Sequence, residues 1–332
     1  MNRRLLFALA AVALIAALSA CSGGRDPLTI YSGRDEALIG PLLEEFSETN
    51  DIAIDVRYGE TADLALLIAE EGENTPADVF LSQSPGAVGF LANEGLLGEL
   101  SDEELSAVDE RFESDDGRWI GLSARQRVLV YNEELVDEAD LPDSVLDLAD
   151  ESFGGDVALA PTNGSFQDFV TAMRQIEGEE VTAQWLSDME TNGSPTYADN
   201  SSIVDAVARG EVPMGLVNHY YNYRKLEEDP DAPSRNYVFP GGDVGSLLIA
   251  STGSIVANTD KQDEASAFID YLLSDDAQQF YSDETFEYPL TEDVEPPPDL
   301  PPLESLETPA IDLNDLGSLP ETARLIEESG LL

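Results

Sequence analysis

From Leu28 onward the apolar positions fall into two alternating periods. Residues 28–31 carry strand-forming side chains, and Ile39, Leu42, Leu43 and Phe46 then recur at helical spacing. The cycle repeats, with a strand pattern over 52–56, a helical one over 64–68, a strand over 78–81 and a helix over 88–91. Three strands joined by helices predict a parallel sheet with right-handed crossovers. The apolar run 127–131 extends beyond an ordinary return, and a second alternating set follows it. That set has a strand at 157–160, helical patterns at 166–176, 183–189 and 203–207, and a strand-like run at 212–217. A further strand pattern at 246–256 and a helical one at 265–273 complete the cycle. The pattern predicts two α/β lobes, with two long strands crossing between them as a hinge.

Two segments break the alternation. Residues 295–309 are rich in proline, which lacks the amide donor of a helix interior or central strand, so an arm packed on a lobe is expected there. At the other end Arg3-Arg4 precedes an apolar run, 5–18, closed by Leu18-Ser19-Ala20-Cys21. A run this short, flanked by positive charge and ended by small residues, reads as a secretion signal over residues 1–20, because a membrane span needs roughly 20 apolar residues. Cys21 is the only cysteine, so it closes no intramolecular disulfide. Its position after Leu-Ser-Ala resembles the bacterial lipobox, which implies lipidation at Cys21 and a tether over 21–27.

Charge narrows the partners. Sixty-eight acidic residues oppose 16 basic ones, for a net charge of −52, and Lys225 and Lys261 are the only lysines. A field of that sign repels phosphate backbones, so nucleic acid is excluded as a partner, and it attracts cations. An acidic, lysine-poor surface also fits a protein kept soluble in concentrated salt.

In open parallel sheets ligands bind beyond the carboxyl ends of the strands. Four loops at such ends are polar: Ser32-Gly33-Arg34-Asp35, Ser82-Gln83-Ser84, 161–165, and Asn218-His219-Tyr220-Tyr221. Asn163, Gly164 and Ser165 precede a helical pattern and could receive an anion at a helix N-terminus, or simply cap it. Tyr220 and Tyr221, at a strand end, could bend both phenols toward one site. Phenolate is a hard oxygen donor suited to a trivalent cation, which ionises the ligands it binds. The single histidine, His219, allows no serine–histidine–acid triad and no histidine-rich metal set, so an enzyme is not expected.

Together, the stretches Ile30-Tyr31-Ser32-Gly33-Arg34, Pro76-Ala77-Asp78-Val79-Phe80, 125–131, 160–166, 218–221 and 287–290 resemble the bacterial ferric-iron-binding proteins, periplasmic members of the type II solute-binding fold. The likeness spans nearly the whole mature chain. It implies an α/β fold of two lobes, each a mixed, mainly parallel sheet flanked by helices, with two crossover strands as hinge. Residues 28–125 and about 252–300 would form lobe 1, and 126–251 with about 301–332 lobe 2. The implied cargo is Fe3+ with a synergistic anion, carbonate or phosphate, and the implied partners are a membrane permease of the ABC class and its ATPase. The protein would act as a monomer outside the cytoplasm, lipid-anchored to the membrane.

Carried onto this chain, the family's paired metal ligands fall on Tyr220 and Tyr221, and its anion contacts on Asn163, Gly164, Ser165, Asn200 and Asn218. Departures concentrate in lobe 1, where the family often has a histidine and sometimes a glutamate. Asp35 and Gln83 stand there instead, and Glu36 and Phe166 replace tyrosines found in some members. Asp35 reads either as an oxygen ligand or as an exposed helix start. Arg34 and Arg125 could balance the anion, and Arg125 could equally hold an ion pair at the hinge. The alternative cargo is a small organic solute, a polyamine, phosphonate or thiamine, stacked on the tyrosines.

Overall fold

The computed structural model describes residues 26–298 and 300–332, so the expected signal segment and Cys21 lie outside the described residues. Strand β1 (Leu28–Ser32) pairs in parallel with β2 (Ile54–Tyr58) on one side and β3 (Val79–Ser82) on the other. Helix α1 (Glu36–Asn50) buries Leu38, Ile39, Leu42, Leu43 and Phe46, the stripe that the 3.6 period marks. Helices α2 (Thr61–Glu71) and α3 (Pro85–Asn93) follow β2 and β3. Strand β2 begins at Ile54 rather than at 52; Asp51 closes α1 in the left-handed region, and the Ile52 carbonyl accepts the Ser47 hydroxyl at 2.8 Å.

Strand β4 (Ile120–Asn132) is buried along its whole length and joins two half-sheets. Its residues up to Gln126 pair antiparallel with β8 (Leu248–Ile255), which in turn pairs with β3. From Arg127 on, β4 pairs instead with β6 (Met214–Asn218) and β7 (Ser234–Tyr237). The strand therefore passes from one half-sheet to the other between Gln126 and Arg127. Arg125 and Arg127, two residues apart, share one strand face at that junction.

The second half-sheet is completed by β5 (Val157–Ala158), parallel to β6. The expected strand over 157–160 stops after two residues, since Leu159 bridges Thr196 instead. Helices α4 (Gly164–Ile176), α5 (Glu179–Thr191) and α6 (Asn200–Ala208) lie between β5 and β6. The tyrosine pair does not end a strand: α7 (His219–Glu228) starts directly after β6, with Asn218 as its N-cap in extended geometry, so both tyrosines stand in its first turn. Helices α8 (Gln262–Leu272) and α9 (Asp275–Thr285) lead to β9 (Tyr288–Pro289), which returns to β4 at Ser123 and Ala124. Among the described residues of 295–309 the one helical element is a 3-10 turn, Leu303–Ser305, and the segment lays Leu300, Leu303 and Leu306 on the main core. The last helix, α10 (Leu319–Ser329), packs on α4 and α5.

Candidate functional site

Six helices have their N-cap positions in loops that follow a strand or turn, Asp35 for α1, Glu60 for α2, Ser84 for α3, Asn163 for α4, Asp199 for α6 and Asn218 for α7, and of these the Asn163 and Asp199 side chains make the capping bond. Each terminus directs backbone N–H groups and the positive end of its dipole outward, which favours negative charge nearby.

Five of these loops meet through hydrogen bonds. The Asn163 side-chain oxygen accepts from the Ser165 amide (3.1 Å), the Ser165 hydroxyl (2.6 Å) and the Asn200 amide (3.3 Å). Asn218 donates to the Ser165 hydroxyl at 3.1 Å. Across the junction Asn163 donates to the Gln83 side-chain oxygen at 3.2 Å, and Gln83 donates to the Gly33 carbonyl at 2.7 Å. Gly164 stands at a close approach: a Cβ there would lie 3.1 Å from Thr61 Cβ. Four of the five residues expected around an anion, Asn163, Ser165, Asn200 and Asn218, thus share one buried network. The side-chain oxygens of Asn200 and Asn218 remain unpaired in it, which marks a place for another bonding group.

Tyr220 and Tyr221 are buried, and their rings stack with centroids 4.1 Å apart. The rings join an apolar cluster with Val128, Val130, Ile203 and Val217. The Tyr221 hydroxyl is buried and has no hydrogen-bond partner of good geometry. Burial pushes the Tyr220 pKa well above that of a free phenol, helped by Tyr221 and Glu287 and opposed by Arg34 and Arg125. Burial likewise pushes Tyr221 to about 12, with Asp35 adding to it and the Tyr220 hydroxyl, Arg34 and Arg125 acting against it. Left alone, both are neutral phenols at neutral pH.

Arg125 stands beside them, wholly buried, and none of its three guanidinium nitrogens has a partner. Burial lowers its pKa, while Tyr220 and Glu287 hold it up. It makes no ion pair at the hinge. An unpaired buried cation costs several kcal/mol, on the order of what breaking a buried pair costs. Arg34 differs. Its guanidinium makes a two-pronged pair with Glu287 (3.0 and 2.5 Å), itself braced by the Thr285 hydroxyl at 3.0 Å, so Arg34 is occupied rather than open to an anion.

The first half supplies fewer free donors than expected. Gln83 is committed to Gly33 and Asn163. Asp35 is exposed and, although it sits at the α1 N-cap, its side chain makes no capping bond. Crowding raises its pKa, Arg34 lowers it and Asp199 raises it. Glu60, equally uncapping, is raised to about 7 by desolvation and then by Asp35, Asp63 and Asp199. Among the described residues no three of histidine, cysteine, aspartate and glutamate converge closely enough to hold an ion. Any metal set here depends on the tyrosines.

His219 is structural. Its Nδ1 accepts the Gln126 amide at 3.1 Å and its Nε2 donates to the Phe286 carbonyl at 2.9 Å, so it ties α7 to the β4 junction and to the end of α9. Burial lowers its pKa to about 4 and keeps it neutral. Sequence reasoning missed Glu287 as the partner of Arg34, Thr61 as the packing floor under Gly33 and Gly164, and Asp168. Asp168 had a readable signal: an acid inside the apolar face of α4, between Phe166 and Phe169.

Residues 74–312 match the family described as bacterial extracellular solute-binding protein. The Fe(3+)-binding periplasmic protein of Serratia marcescens is 32% identical over 330 residues, covering 98% of this chain and 97% of that one. The major ferric iron-binding protein of Neisseria meningitidis is 30% identical, covering 96% of this chain and 97% of its own length. The crystal structure of iron-bound HitA from Pseudomonas aeruginosa superposes with a TM-score of 0.88 at 34% identity, over 92% of this chain and 100% of that chain.

Proposed function

We propose, from the premise that this chain belongs to the family of bacterial extracellular solute-binding proteins, that its solute is ferric iron taken up with a small anion. The observation that carries this reading is the pair of stacked, buried tyrosines beside the unpartnered guanidinium of Arg125. Two neutral phenols in apolar surroundings are a poor end state in themselves. A trivalent ion reverses the balance, because a bound cation lowers the pKa of its ligands enough to ionise them. Two phenolates leave one formal positive charge on the iron, a dianion turns that into one negative charge, and Arg125 neutralises it. The anion, carbonate or phosphate, would take the α4 N-terminus through Asn163, Gly164 and Ser165, with Asn200 and Asn218 at its flanks. Asp35 is the first-half carboxylate whose field Tyr221 feels, and we assign it as the oxygen donor from that half.

A planar organic solute fits less well, because the two rings spend one face each on one another. Family membership implies delivery to an ABC-class permease, and the reading extends this to its ATPase, to a monomeric carrier and to lipid anchorage through Cys21. It also takes the two half-sheets as lobes that close on the ligand. The iron-loaded protein should show a visible phenolate-to-metal charge-transfer band, and Tyr220→Phe with Tyr221→Phe should abolish it. Colour retained in the double variant would refute the metal assignment.

A further inference from the structure

A buried carboxylate with no role in holding a solute sits where the halves meet. Asp168, on α4, is 1% exposed. Its Oδ2 accepts the Gly86 amide at 3.4 Å, and the Ser84 hydroxyl also bonds it. Ser84 is the N-cap of α3 and Gly86 lies in that helix's first turn. Ser84 makes no capping bond of its own, so the N-terminus of α3, in the first half, is served by a side chain from α4, in the second. The approach is tight: a Cβ on Gly86 would lie 2.3 Å from Asp168 Oδ1.

The carboxylate also has an alternative. Arg127, on β4 of the second half-sheet, lies beneath the Phe166 and Phe169 rings at 5.4 and 4.9 Å. It is wholly buried with Nε and Nη1 unpartnered, and Asp168 is the acid whose field it feels. Burying Asp168 raises its pKa to about 7, and Gly86, Ser84, Arg125 and Arg127 offset that cost. In this conformation its hydrogen bonds go to the first half rather than to the arginine of its own half.

We propose that Asp168 is an interlobe latch: it caps α3 across the cleft in the closed form and turns to Arg127 when the halves part. The proposal rests on the reading of the cleft as one that closes on its ligand. It adds that retention is set partly at a residue touching neither metal nor anion. Because Asp168 and the anion loop 163–165 belong to one helix, movement of α4 onto the anion carries the carboxylate onto α3. Solute capture and latching are then one displacement.

The test follows iron loss from the purified, iron-loaded protein to excess chelator by decay of the charge-transfer band, with small-angle scattering of the same samples. Asp168→Ala should release iron roughly tenfold faster or more, as expected for losing hydrogen bonds to a charged acceptor. Its absorption maximum should stay in place, and the loaded protein should scatter as a more expanded particle. Asp168→Glu should restore part of the retention, which a merely packed side chain would not. Ser84→Ala, which keeps the carboxylate and removes one donor, should move release in the same direction by less, and decides the matter if Asp168→Ala does not fold. Wild-type release rates and scattering in both alanine variants would overturn the latch. Absence of the band in the wild type would sink the ferric reading separately. The latch would then be read in the protein loaded with carbonate or phosphate alone, where Asp168→Ala should scatter as the more expanded particle and a radius equal to that of the wild type counts against it.

Discussion

At the residue scale the site is built from groups that are uncomfortable when empty. Arg125 is the clearest case, since its buried guanidinium has no partner and lies within the fields of Arg34 and Arg127. Replacing buried charge by a well-packed apolar side chain is often stabilising by about 1–4 kcal/mol. Arg125→Met should therefore raise the melting temperature of the metal-free protein by a few degrees while weakening iron retention and abolishing its dependence on added carbonate or phosphate. A melting temperature that falls instead would show that Arg125 is already compensated without ligand. Its place was legible before the structure, because Arg125-Gln126-Arg127 interrupts an apolar strand. Its lack of a partner was not, since pairing depends on Glu287, 162 positions downstream, choosing Arg34 instead.

At the element scale, strands and helices with strong periodicity were readable, and the misreadings have a common cause. Helix α7 carries the sequence HYYNYRKLEE, in which Leu226 is the only aliphatic residue, so no 3.6-residue stripe announces it. The pattern reads as a strand end because β6 runs into the helix without a loop. The consequence is functional: the two tyrosines stack as neighbours in a helical first turn instead of bending together from a loop. The cap of α4 shows the same coupling of element to site. Asn163 satisfies the Ser165 amide, and its side chain also joins Gln83 and Asn200. Loss of an N-cap costs about 1 kcal/mol, and Asn163→Ala gives up the bond across the halves as well. Calorimetry should find it less stable by about 1–2 kcal/mol, and iron uptake should need more anion. Unaltered stability with weakened uptake would show that the cap is dispensable and the anion contact alone matters.

For the whole molecule the governing quantity is the net charge of −52. The two-lobed α/β pattern and its two-period alternation could be inferred from apolar positions, but the consequence of this charge depends on how the few cations are deployed. Among the described ion pairs only Arg34–Glu287 and Lys261–Asp78 hold a buried carboxylate. Most of the others are surface pairs such as Arg209–Glu211 and Arg324–Glu328, each worth about 0–1 kcal/mol. Salt therefore has little attraction to screen and much repulsion. Charges on this surface feel one another over about 10 Å at 0.1 M salt and about 3 Å at 1 M. The melting temperature should accordingly rise with sodium chloride across that range and level off as the screening length falls below the spacing of neighbouring carboxylates. Potassium chloride should act equally, because the effect is screening rather than binding of one ion. A flat or falling curve would mean that the acidic surface is stabilised by specific pairs, and that its excess charge serves the capture of cations rather than life in salt.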